Sequence, residues 1–197
     1  IFSISVLMNQ WPLYSFGYSI PYIILLSVLL CLHYKYKDRK IPYNNKKILL
    51  NSGIIFIIIF FGLRGFINSD FRIYHLFFET LPNIQDITIY DFTFEPGFVL
   101  SSSLFKTIWP NYYGWVFFYT LFDIIVLSWF FRKYTDSILL AFVFFIAYRG
   151  LSMEFNLMRN TKAIMFFLLS IPYLQERKIL PYMAMNILAL SFHYTAV

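Results

Sequence analysis

An α-helical bundle that crosses a membrane several times is the fold class this sequence predicts, and three observations predict it. Hydrophobic residues make up 59% of the 197 residues and charged ones only 13%, with a mean hydropathy of +0.64; soluble domains carry about 25% charge. The apolar residues form continuous runs of roughly 15 to 20, the length of spanning helices, and not alternating ten-residue strands. The lysines and arginines gather in short loops between those runs, where they set topology. A nucleic-acid partner is not expected despite the net charge of +6.

The elements follow in order. An aromatic girdle of Trp11, Tyr14, Tyr18 and Tyr22 introduces the first span, 18–32. The loop 33–47 holds Lys35, Lys37, Arg39, Lys40, Lys46 and Lys47 against Asp38 alone, so the positive-inside rule assigns it to the cytoplasm. Span two, 48–63, then runs outward, and 64–110 lies on the outer face. Within it, 97–109 is apolar but short, carries Ser101, Ser102, Ser103 and Lys106, and is flanked by Pro96 and Pro110, which reads as an interfacial or re-entrant helix. Span three, 111–131, enters through Trp109, Tyr112, Tyr113 and Trp115 and leaves through Trp129, Arg132 and Lys133. Short spans at 137–148, 163–174 and 179–191 complete about six, in one polytopic domain covering 1–197.

Charge supports this orientation. The inner loops hold ten basic residues against three acids, the outer segments six of each. Cys31 is the only cysteine, which excludes an internal disulfide and a CxxC metal site. The chain starts at Ile1 and stops at Val197 within an apolar run, so a longer parent protein is expected, and no removable signal peptide is read at its start.

Chemistry concentrates in two outer stretches. After the apolar run 54–63 come Arg64, Asp70, Arg72, Tyr74, His75 and Glu79 within sixteen residues. On a helix Asp70 and Tyr74 share one face, and Arg72, His75 and Glu79 another. His75 and Glu79 lack a third ligand, so no metal and no cofactor is expected; a solvated ion pair on a surface helix explains them equally. The second stretch, 149–162, supplies Arg149, Glu154, Arg159 and Lys162. Arginines at membrane depth are costly unless paired or facing a wet cavity, and a planar guanidinium suits a diphosphate; interfacial anchoring is the structural alternative. Asp123, in the middle of span three, is expected to hydrogen-bond a Tyr or Ser while protonated. His193 ends the last span.

Four motifs in this order resemble those of the EpsG family of Wzy-like bacterial polysaccharide polymerases. LRGFINSDFRIY resembles the family's Arg, then Gly-Thr-Asp-Tyr, two residues, Tyr signature, with Asn68 for Gly and Phe71 for Tyr. FEPGFVLSSSLFK resembles its glutamate-glycine segment, LMRNTKA its Arg-Gln-x-x-Ala motif with Asn160 for Gln, and SFHYTAV its Phe-His-x-Ser-Ala close. Lys162 stands where the family usually has an apolar residue. The resemblance implies a polymerase for exopolysaccharide, capsule or O-antigen, acting at the outer face of the bacterial cytoplasmic membrane. Its substrates would be undecaprenyl-diphosphate-linked glycans, and a flippase and a chain-length regulator of the same pathway its further partners. Carried onto this sequence, His193, Asp70 and Glu95 become the catalytic candidates, any of which suits the base. Arg64, Tyr74, Arg159, Asn160 and Arg149 become the groups for diphosphate and glycan.

Two rivals come from other classes. A transporter or flippase-like component for lipid-linked sugars would use its arginines only to grip diphosphate, and it would favour inverted repeats with broken helices; no internal repeat is seen. A membrane acyltransferase would carry a close His-Asp pair, which this sequence lacks.

Overall fold

The computed structural model describes residues 19–65 and 69–194. Trp11, Tyr14 and Tyr18 of the expected girdle, Asn68 of the first motif and the closing 195–197 lie outside the described residues. The described elements are α1 (Ile20–Lys37), α2 (Tyr43–Gly62), α3 (Ser69–Thr80), a 3₁₀ turn (Ile89–Asp91), α4 (Pro96–Ile108), α5 (Tyr112–Tyr134), α6 (Ile138–Phe145), a π turn (Ile146–Gly150), α7 (Leu151–Asn156), α8 (Met158–Gln175) and α9 (Ile179–Phe192). No strand occurs among them.

Local chemistry sets the ends. Pro96 opens α4, where a missing N–H costs nothing. The Asn111 side chain accepts from the Gly114 N–H at 2.8 Å and caps α5, and Arg132 and Lys133 sit at its C-terminal dipole. Four stretches are long and apolar enough to cross a bilayer: α1, α2, α5 and the continuous helix Ile138–Asn156. With the further apolar helix α9 packed as a hairpin on α8, the chain is a polytopic helical membrane protein.

The fourth span is longer than its expected limits of 137–148. Tyr148 and Arg149 read as a water boundary, yet the helix passes through them in a π turn and continues to Asn156. Phe142, Ile146, Gly150 and Glu154 are all buried, one every four residues. In a straight α-helix such a row drifts by about 40° per step; the wider π turn takes up the drift and keeps Glu154 on the inward face.

Two cores hold the bundle. One joins α1, α2, α5 and α6 around Leu25, Ile57, Phe61, Ile124 and Phe142. Here Gly53 lets α2 close on Leu139, whose side chain would lie 2.6 Å from an added Cβ. The other is aromatic and joins α3, α4 and the start of α5, with Phe77 stacked on Phe98 at 5.4 Å and Phe78 on Trp115 at 5.1 Å. Lys106 of α4 ties α3 to this core: its ammonium donates to the carbonyls of Phe78, Glu79 and Leu81 at 2.7–2.8 Å, capping the end of α3. The opposite, basic end is joined where the Tyr134 hydroxyl donates to Gln175 at 2.8 Å.

Candidate functional site

Glu95 is the hub of the polar end. Proline at 96 holds it extended (φ −61°, ψ 144°), and its carboxylate does not cap its own helix. It faces two other elements instead. Oε2 accepts from Arg159 Nη1 at 2.5 Å, and Oε1 lies 2.7 Å from His193 Nδ1. Arg159 is the second residue of α8, and its guanidinium lies over the Phe94 ring at 4.2 Å from the centroid, which orients the fork; its Nε–H is buried without a hydrogen-bond partner among the described residues. His193 is the extended residue that ends α9. Burial works against a charged Glu95, but hydrogen bonds from His193, from its own backbone and from Arg159 outweigh it and hold the carboxyl below the usual glutamate range. Glu95 is therefore ionised at neutral pH and can only accept, so His193 Nδ1 carries the proton toward it, and in the neutral ring that tautomer leaves the lone pair on Nε2.

Tyr74 completes the group. It packs on Phe94 and Phe98, and its phenol interacts with Arg159. Burial raises its pKa while the neighbouring guanidinium pulls it down, with a net rise, so it stays a donor. Asp70, one turn earlier on α3, acts on Tyr74 through its charge. Asn160 is half-buried beside Arg159, and Arg149 is exposed in the π turn.

The hub depends on a close approach of α4 to α9. A Cβ at Gly97 would strike Ser191 Oγ and lie 2.8 Å from the Ser191 carbonyl oxygen, two residues before His193. Gly97→Ala is thus expected to push α9 off α4 and part His193 from Glu95, with a loss of activity approaching ~100-fold at unchanged protein level. Product measured in cells carrying the variant checks this; wild-type yield would show that the contact does not set the site.

Arg64 is not part of this group. Expected among the diphosphate-binding cations, it is instead enclosed at 6% exposure. Its Nη1 donates to Thr120 Oγ1 at 3.0 Å and to the Phe61 carbonyl at 3.3 Å, and it pairs with Glu154 Oε2 at 3.5 Å. Beside this pair lies a second, Lys162 with Asp123, where Lys162 Nζ donates to Asp123 Oδ2. Asp123 therefore has an ammonium as partner, and not the Tyr or Ser expected. Glu154 and Lys162, read as parts of an outer cluster, belong to this buried set. The pairing had a signal in the sequence: an acid inside an apolar span calls for a base at equal depth, and Lys162 stands one turn into the next polar-led helix.

The family model for EpsG matches residues 47–197. The chain belongs to the EpsG family. Membership of the EpsG family suggests an exopolysaccharide-related polymerase of glycosyltransferase-like character. The matched region contains all of α3 to α9 and with them Glu95, Arg159 and His193. No curated protein and no solved structure matches the chain.

Proposed function

We propose that this chain joins lipid-linked oligosaccharide repeat units by glycosyl transfer at the outer face of the bacterial cytoplasmic membrane. The observation that carries the reading is one carboxylate, Glu95, held between a guanidinium and an imidazole. The donor is a glycan on an undecaprenyl diphosphate carrier. A hydroxyl of a second repeat attacks its anomeric carbon; the new C–O bond forms as the bond to the diphosphate oxygen breaks, and the electron pair leaves with the diphosphate. Arg159, with donor groups beyond the one given to Glu95, stabilises that departing charge, and Tyr74 adds a neutral donor beside it. His193 Nε2 takes the acceptor's proton, and Glu95 fixes the ring and steadies the imidazolium that results.

His193→Gln tests this. Glutamine retains a polar side chain near Glu95 but cannot act as the base. In cells carrying the pathway, the variant is expected to bind lipid-linked repeats yet polymerise 10²- to 10⁴-fold more slowly, on the order of a lost general base, with single repeats accumulating on the carrier. Normal polymer from a variant present at normal level would remove His193 from the chemistry. Export of sugar without any chain growth, in wild type and variant alike, would favour a transporter.

A further inference from the structure

At the basic end of the bundle, residues of α2 and α5 line an open cleft of about 370 Å³. Two helical stripes line it. Asn51, Ile54 and Ile55 come from α2, and Ile125, Ser128, Trp129 and Arg132 from α5. The helices run antiparallel, with Gly62 against Phe117 near one end and Arg132 Nη2 donating to Asn51 Oδ1 at 3.2 Å near the other. The lining is therefore ordered by depth. Arg132 and Asn51 form the rim; Ser128, one turn or about 6 Å deeper, comes next; the isoleucines form the floor.

Two observations point to a ligand. Ser128 is 7% exposed and its Oγ has no hydrogen-bond partner among the described residues, although a serine inside a helix ordinarily bonds back to the carbonyl four residues earlier. A buried hydroxyl left unpaired in this way is costly. The charge of the surroundings is also one-sided. Arg132 uses one N–H on Asn51 and keeps the rest of its fork, Lys133 lies over the Trp129 ring at 5.7 Å, and Lys46 and Lys47 stand one turn before Asn51. No acid lines the cleft.

We propose that this cleft binds one anionic phospholipid from the leaflet on the basic side of the bundle. The cleft's sequence of groups from rim to floor is that of such a lipid. Arg132 and the Asn51 amide hold the phosphate, the Ser128 hydroxyl reaches the glycerol ester, and Ile54, Ile55 and Ile125 receive an acyl chain. A choline or ethanolamine head group would meet cations with no carboxylate to offset them, so a net negative head group is selected. Trp129, 39% exposed, sits at the ester level where its ring is at home.

Trp129 reports occupancy. The full chain is reconstituted in phosphatidylcholine bilayers containing small fractions of acyl-brominated phosphatidylglycerol or acyl-brominated phosphatidylcholine, and the quenching that Trp129→Phe abolishes is assigned to Trp129. Half-maximal quenching is expected at a mole fraction roughly fivefold lower for the anionic lipid, the effect of one well-placed cation. Arg132→Gln should erase that preference, whereas Lys40→Gln, in the neighbouring basic loop and outside the cleft, should leave it. Ile55→Phe fills the floor without touching a charge and should weaken quenching by the anionic lipid too; both Arg132 and Ile55 are exposed, so neither change reaches the core. Equal quenching by the two lipids overturns the proposal. So does a preference that survives Arg132→Gln, one that falls equally with Lys40→Gln, or one that inorganic phosphate in the buffer abolishes, which would make the ligand a free anion.

Discussion

Replacing Arg159 by lysine is expected to abolish polymer while single lipid-linked repeats accumulate and the protein stays at its normal level in the membrane. Charge is kept in this variant, so the loss must come from shape. The guanidinium does three things at once: it lies flat on Phe94 at 4.2 Å, donates to Glu95 at 2.5 Å and keeps further N–H groups for a phosphate oxygen. A lysine ammonium is a strongly hydrated point charge without a planar fork; engaged by Glu95, it has no second edge for a leaving diphosphate. Loss of a preorganised donor at developing charge costs about 100- to 1,000-fold. Gel separation of polymer, beside extraction of carrier-linked single repeats, measures the effect. Wild-type polymer from Arg159→Lys would sink the assigned role.

The second large effect concerns stability. Asp123 and Lys162 are 1% and 3% exposed and form an ion pair, with the Lys162 ammonium also over the Tyr119 ring at 4.7 Å. Removing one leaves a lone buried charge, at a cost of about 3–5 kcal/mol. Asp123→Asn or Lys162→Met alone should therefore yield little folded protein and a lowered unfolding temperature in detergent, whereas the double variant Asp123→Asn/Lys162→Met should recover most of both. Single variants as stable as wild type would mean that the pair does not hold α5 to α8. The double variant also separates structure from chemistry: if it folds but does not polymerise, the pair serves the reaction as well.

The helical class, the C-terminal end of α2 and the start of α5 were legible because composition and charge act along the chain, residue by residue. The basic segment 33–47 was read as a loop, yet α1 runs through it to Lys37 and α2 begins at Tyr43, since lysines are good helix formers and charge alone does not end a helix. Glu95, Arg159 and His193 were legible as separate candidates through their motifs. Their mutual arrangement was not, since it depends on Gly97 letting α4 meet α9 and on Phe94 lying beneath the guanidinium. Arg64 misled for a physical reason. A cation just past an apolar run looks like the edge of the membrane, and only the π turn at Ile146–Gly150, which sequence periodicity does not reveal, brings Glu154 round to enclose it. Asp123 was recognised as needing a partner and Lys162 stood as a base of comparable depth, but only the packing of α8 on α5, thirty-nine residues apart in sequence, decides for the ammonium over a Tyr or Ser.

The four buried charges also have an order in time. A ribosome delivers Arg64 first, then Asp123, then Glu154, then Lys162. Added in that order, the charge committed to the interior runs from plus one to zero, to minus one and back to zero, and it never exceeds one in either sense. Arg64 and Asp123 already act on each other electrostatically in the finished bundle, so Arg64, just past the end of α2, and Asp123 within α5 carry opposite charges that can screen one another before their final partners exist. Glu154 and Lys162 then arrive in close succession, separated by little more than the joint at Leu157. Synthesis therefore never leaves more than one uncompensated charge, first that of Arg64 until Asp123 is made and then that of Glu154 for the seven residues before Lys162, even though the described interior of the finished bundle contains four.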